Sequence, residues 1–237
     1  MIVNKKYFIL FLLLGLSLNM SAQLSRRLKN NPRYDRKVID FGFSIGLNYT
    51  DLRTRTLPDL STQLPGYYRV YSEVSPGYNI RIISKLRLGD HWDLNFSPGY
   101  AFTVRTLRFD ILNQFTLERE LVERDIESSF LEFPFYFKFR ADRIGNYRMY
   151  LLAGPKYNID LASDQDVEDD RVFKLKRNEV YYDMGIGVDI YFEFFKFSPQ
   201  IIYSFGITNQ KVEDDTFLAA GLQGVYTRGL LINFTFE

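Results

Sequence analysis

FLEFPFYFKFR, residues 130–140, sets Leu131, Phe133, Phe135, Phe137 and Phe139 on one side of an extended strand. Glu132, Pro134, Tyr136, Lys138 and Arg140 fall on the other. Period two marks a strand with two unlike faces. Which solvent each face meets decides the fold. In a water-soluble sandwich the phenylalanines form the core and the charges are wet. In a membrane barrel the phenylalanines touch lipid and the charges point into a closed interior.

The rest of the chain repeats the pattern. Phe41, Phe43, Ile45, Leu47 and Tyr49 alternate with Gly42, Ser44, Gly46, Asn48 and Thr50. The same holds for Leu94 to Arg105, for Val180 to Tyr191 and for Gly229 to Phe236, with weaker versions near residues 73–88, 147–160 and 196–208. With the opening stretch these make eight strands, and no amphipathic helix of core length competes. The non-aromatic faces carry glycine, serine, asparagine and scattered charges of both signs. A face meeting bulk water would be richer in lysine and glutamate, whereas small residues with a few charges suit a cramped lumen. The expectation is an all-β fold: an eight-stranded antiparallel up-and-down transmembrane β-barrel whose lumen is filled by side chains.

Polar segments near residues 51–72, 108–127, 161–178 and 209–222 read as long loops. They alternate with tight joins at Gly89 to His91, Asp142 to Asn146 and Phe194-Phe195. Long outer loops and short periplasmic turns are the habit of outer-membrane barrels, and an even strand count leaves both termini in the periplasm. Pro76, Pro98, Pro134, Pro155 and Pro199 fall inside strands, where a missing N–H interrupts the ladder. The repeated Ser-Pro-Gly-Tyr at residues 75–78 and 97–100 therefore predicts bends or bulges in neighbouring strands.

At 237 residues the chain suits one domain, and 30 basic against 29 acidic side chains argue against a nucleic-acid binder. Cysteine is absent, which excludes disulfides, thiolate chemistry and a cysteine-linked lipid anchor. Lys5 and Lys6 precede an apolar run from Tyr7 to Leu18 and then Met-Ser-Ala-Gln. The run is shorter than the ~20 residues a spanning helix needs, so residues 1–22 read as a secretory signal peptide cleaved after Ala22. Residues 23–37 read as a basic periplasmic arm and residues 38–237 as the barrel. In the arm Arg26, Arg27, Lys29, Arg33, Arg36 and Lys37 form the densest patch of one sign, a candidate contact for a partner.

Catalysis finds little support. The one histidine, His91, sits in a turn beside Trp92 on the side away from the long loops. That position suits a polar turn residue at headgroup level better than a general base. The acidic runs Asp164–Asp170 and Glu213–Asp215 lack the glycine and distal glutamate of an EF-hand and read as solvated tips. No cofactor, metal or small-molecule substrate is expected. The charges assigned to the lumen are Arg81, Lys85, Asp93, Arg105, Glu132, Lys138, Arg140, Lys156, Asp183 and Asp189. Burying them unpaired costs several kcal/mol each, so mutually satisfied networks and a plugged barrel are expected.

The block FLEFPFYFKFRADRIGNYRMYLLAGPKYNIDLAS, with FxEFPFxFK leading through a short turn into YLxAGPxYxxDLAS, resembles the PorT family of outer-membrane barrels of Bacteroidota. The export signal, the eight strands, the Gly-Tyr pairs and the length agree. The resemblance implies a non-enzymatic role in type IX protein secretion, and in gliding motility in some members. It implies outer-membrane lipid and other secretion proteins as partners and carries no catalytic residue over. The alternative is a surface-exposed binding or structural barrel unrelated to secretion.

Overall fold

The computed structural model describes residues 29–58, 64–112, 118–163, 174–212 and 220–237. Residues 1–22, expected to be a signal peptide, and the acidic runs at 164–170 and 213–215 lie outside them. Ten antiparallel strands form one sheet: β1 (Ile39–Thr56), β2 (Tyr67–Glu73), β3 (Ser75–Arg87), β4 (Trp92–Phe96), β5 (Gly99–Leu112), β6 (Arg119–Arg140), β7 (Tyr147–Asp160), β8 (Asn178–Tyr191), β9 (Lys196–Gly206) and β10 (Leu222–Phe236). Each consecutive pair of staves is hydrogen-bonded, and β1 pairs with β3 on one side and β10 on the other. The sheet therefore closes on itself.

Ten strands make eight staves, because two staves are interrupted. β2 and β3 are one stave broken at Val74, and β4 and β5 are another broken at Ser97-Pro98. The two breaks differ. Across Ser97-Pro98 the register to β3 and to β6 is unchanged, and Ile82 N–H donates to the Pro98 carbonyl at 2.9 Å. Proline deletes one ladder bond there without shifting the sheet. Between β3 and β2 the register against β5 slips by one residue, a true bulge, with a second at Tyr67/Arg69. Gly77 is needed beside the first: a Cβ would stand 2.2 Å from the Phe102 carbonyl oxygen.

Side-chain direction follows the two-fold period. Phe135, Phe137 and Phe139 on β6 are exposed, as are Leu151, Met184 and Ile186 on β7 and β8, and together with neighbouring staves they form the lipid belt. Glu132, Tyr136, Lys138 and Arg140 are buried inside. Phe130 also points inward, with the Arg105 guanidinium over its ring at 5.2 Å.

The expected loops at 51–72 and 108–127 are mostly sheet. β1 runs to Thr56, β5 to Leu112 and β6 starts at Arg119, leaving connections of 57–66 and 113–118. Beyond the lipid belt the outward face also meets water. Arg53, Arg108 and Glu123 replace apolar residues there, and the sequence contrast that marks a strand disappears. The other two connections, 161–177 and 207–221, lie close to where they were expected. At the opposite end the joins are short: Phe192 N–H donates to the Phe195 carbonyl, and Gly145 takes φ +60 in the β6–β7 turn.

The belt assignment predicts an asymmetry at Phe135. A cation at this lipid-facing site should cost roughly 2–4 kcal/mol or block assembly, whereas Phe135→Leu should be mild. Heat-modifiable protein in outer-membrane fractions measures this. Equal yields of Phe135→Arg and Phe135→Leu would contradict the assignment.

Candidate functional site: a sealed lumen and its two mouths

Each stave contributes alternate residues to the lumen, and the interior fills in layers. In the middle layer Arg81 donates to one Glu132 oxygen through Nε at 2.9 Å and Nη2 at 2.6 Å. Lys156 Nζ lies 3.5 Å from both Glu132 and Asp183, and the Tyr136 hydroxyl donates to Asp183 at 2.5 Å. Towards the long-hairpin end Arg105 pairs with Glu179 at 3.0 Å and approaches Asp160 at 3.8 Å. It also donates to Ser128 and Thr227, while the Tyr181 hydroxyl donates to Glu179.

Towards the short-turn end Lys138 donates to Asp189 at 2.9 Å, and Lys85 and Lys196 each donate to Glu237 at 2.6 Å. Lys85 also reaches Asp40 at 3.1 Å. Arg140 Nε lies 3.0 Å from Asp93, an ion pair too misaligned to be a hydrogen bond, and its Nη2 donates to the Gly89 and Asp90 carbonyls.

All ten charges assigned to the lumen by strand parity are buried there. They were an incomplete set of six cations and four carboxylates. Asp40, Asp160, Glu179, Lys196 and the Glu237 side chain join them inside. On inward strand positions and at Glu237 the buried totals become seven cations and eight carboxylates among the described residues, and Arg143, in the β6–β7 turn, is buried at the mouth as well. The signal for Glu179, Lys196 and Asp40 was present, since each keeps the inward parity of its strand one step beyond the obvious alternation. Asp160 and Glu237 likewise fall on inward positions at strand ends.

The lumen is not polar throughout. At the long-hairpin end Leu52, Tyr67, Val70, Leu107, Phe109, Leu175, Leu222 and Val225 form a buried apolar cluster inside the barrel. Leu175, from the β7–β8 connection, forms an isolated bridge with Lys211 that helps cap this end. The alternation that placed Thr103 and Arg105 inward carries on to Leu107 and Phe109, where polar-in, apolar-out reading no longer applies.

The arm closes the other mouth. Residues 32–36 form a 3-10 turn, and Tyr34 is 6% exposed, its hydroxyl donating to Glu237 and accepting from Lys85 at 3.0 Å. The ammonium groups of Lys85, Lys196 and Lys37 lie 4.5, 4.8 and 5.1 Å from its ring centroid. Asp35 is held by Arg143 and Arg148, each at 3.1 Å, and Asn30 bonds to Asn146 and to the Tyr191 carbonyl. Of the candidate partner-contact cations, Lys29, Arg36 and Lys37 are exposed; Arg26, Arg27 and the Arg33 side chain lie outside the described residues. His91 lies in the turn with Nδ1 3.0 Å from the Arg140 carbonyl oxygen, beside Phe139 and Trp92.

Between the layers lie two cavities of about 20 Å³ each. Each has room for about one water. Residues 21–211 match the family described as outer membrane protein beta-barrel domain.

The chain belongs to that family. It is an outer-membrane β-barrel protein. No curated protein matches the chain. Solved structures similar to it include Neisserial surface protein A (NspA), at 11% identity and TM-score 0.44, covering 84% of this chain and 98% of that one. The N-terminal β-barrel domain of Pseudomonas aeruginosa OprF has 14% identity and TM-score 0.32, covering 81% and 96%. Ail, the attachment invasion locus protein of Yersinia pestis, has 10% identity and TM-score 0.35, covering 83% and 96%.

The lumen networks generate two expectations. Glu132→Ala leaves Arg81 buried beside Lys156 without its carboxylate and should cost about 3–5 kcal/mol. Arg81→Met with Glu132→Leu should recover most of that, because two desolvated charges are removed together. Urea unfolding of the detergent-solubilised barrel compares the two, and a double variant as unstable as the single one would refute the pairing. In planar bilayers the purified protein should show no steady pore. Uniform open channels would mean that the packing is wrong.

Proposed function

We propose that this protein is a non-enzymatic accessory of type IX protein secretion that acts through contacts with other proteins. The observation that carries a contact role is the filled interior. Ion-paired layers, an apolar cluster at one mouth and the docked Tyr34 turn at the other leave no route for cargo, so the exposed surfaces do the work. The secretion role draws on the resemblance of residues 130–163 to the PorT family. Both termini and the short turns face the periplasm, and the long hairpins face outward. The exposed cations Lys29, Arg36 and Lys37 then stand at the periplasmic mouth and present positive charge to an acidic partner.

A second reading, a surface-exposed binding or structural barrel, takes its support from the β5–β6 hairpin, which carries exposed Glu120, Glu123, Asp125 and Glu127.

Deletion of the gene should leave C-terminally tagged cargo in the cell envelope while other outer-membrane proteins assemble normally. Exchange of Lys29, Arg36 and Lys37 for Gln should weaken export with barrel levels unchanged, because Tyr34 and Asp35 still dock the turn. Normal export in the deletion strain would overturn the secretion role and leave the second reading. Normal export in the substituted strain would remove only the arm. The chain has no cysteine, so a single Arg124→Cys or Lys37→Cys reports orientation. An impermeant maleimide on whole cells should label the first and spare the second.

A further inference from the structure

Just above the lipid belt, β1 and β10 turn three guanidinium groups outward. Their shared outward face reads Tyr49 opposite Leu230, then Asp51 opposite Arg228, then Arg53 opposite Tyr226. Arg53 is therefore four residues past the belt residue Tyr49, roughly 13 Å along the strand at ~3.3 Å per residue, and less along the membrane normal because staves tilt. That is headgroup depth. Arg228 donates to one Asp51 oxygen through Nε at 2.9 Å and Nη2 at 2.5 Å. The Arg55 guanidinium lies 4.9 Å from the Tyr226 ring centroid. Arg53 and Arg55 are exposed and have no carboxylate partner among the described residues. Among the described residues, three cations less one carboxylate leave a charge of +2 around a cavity of about 340 Å³, with Tyr203 and Phe205 on its belt side.

Tyr203 also lines a second depression, of about 700 Å³, on the lipid face. Its cause is local. Ala153 is an outward position whose ladder neighbours are Phe137 and Met184, so a methyl group sits between long side chains. Ile201 and Ile186 continue the walls, and Trp92 stands at the far end, near the short turns. Because the staves tilt, this apolar crevice crosses the belt obliquely and meets the arginine cavity at Tyr203.

An apolar channel that ends among guanidinium groups at headgroup level has the shape and charge of an amphiphile with an anionic head. We propose that the crevice binds one phosphorylated glycolipid of the outer leaflet. Its phosphate lies on Arg53 and Arg55, and one acyl chain lies along Tyr203, Met184 and Ala153. Planar guanidinium groups match phosphate oxygens in paired hydrogen bonds. Stacking on Tyr226 holds Arg55 ready for them, and the Asp51 pair keeps Arg228 in place. Assignment to the outer leaflet rests on the orientation proposed above.

The refolded barrel in detergent, titrated with a bis-phosphorylated acylated glucosamine disaccharide and followed by native mass spectrometry, tests this. One molecule should bind per barrel. Arg53→Gln with Arg55→Gln should weaken binding roughly tenfold, about 1.4 kcal/mol, with the heat-modifiable fraction unchanged. The dephosphorylated disaccharide should bind the parent barrel as weakly as the phosphorylated one binds this double variant. Ala153→Phe, which fills the groove with an apolar side chain, should weaken both lipids alike. Equal binding by the parent and the double variant would overturn the proposal. Displacement by inorganic phosphate alone would also overturn it, in favour of a free-anion site. Binding in detergent does not depend on leaflet, so failed maleimide labelling would remove the orientation and not the site.

Discussion

Within a bilayer no water reaches the backbone, and every N–H and C=O left without a partner costs several kcal/mol. The β1–β10 and β1–β3 ladders meet that constraint, because β1 is paired along both edges from Phe43 to Thr50. Closure then fixes everything else. Once the sheet is a ring of eight staves, one face of every strand is committed to lipid and the other to a space just wide enough for side chains. The interruptions stay small for the same reason. Proline at Pro98 removes one bond and keeps the register, whereas the shift between β3 and β2 is a single residue.

The narrow interior explains why charge can be buried so densely. Lys156 shares Glu132 and Asp183, and Glu237 accepts from Lys85, Lys196 and Tyr34. Such networks add little net stability over apolar packing, because desolvation offsets the Coulomb gain, but removing one member leaves an uncompensated charge. Their effect here is to tie distant staves together and to shut the lumen. The apolar cluster around Phe109 and Leu222 closes the long-hairpin end, where the sheet has left the membrane and the lipid belt no longer claims the hydrophobic residues.

The filled interior leaves the surface as the accessible part of the barrel. The surface is uneven: exposed cations near the short turns, carboxylates on the β5–β6 hairpin, and exposed guanidinium groups where β1 and β10 leave the lipid. Sealing the inside and differentiating the outside are two results of one alternation, continued past the point where its solvent changes.

That alternation was legible from the chain alone, because direction along a strand is a local property with a period of two residues. It set the barrel class, the lipid-facing phenylalanines of residues 130–140 and the inward direction of Arg81, Glu132, Lys138 and Asp189. Strand ends beyond the belt were not legible, since Arg53 and Arg55 make the outward face of β1 as polar as the inward threonines, and charge on both faces of Arg119–Ile126 erases the contrast that marks a strand. Nor was the choice of partner. Tyr34 meets Glu237 across 203 positions and Lys85 meets it across 152. Nothing local encodes such separations; only the ring, once closed, brings those side chains to the same layer, and there the cost of an unpaired buried charge selects which cation meets which carboxylate.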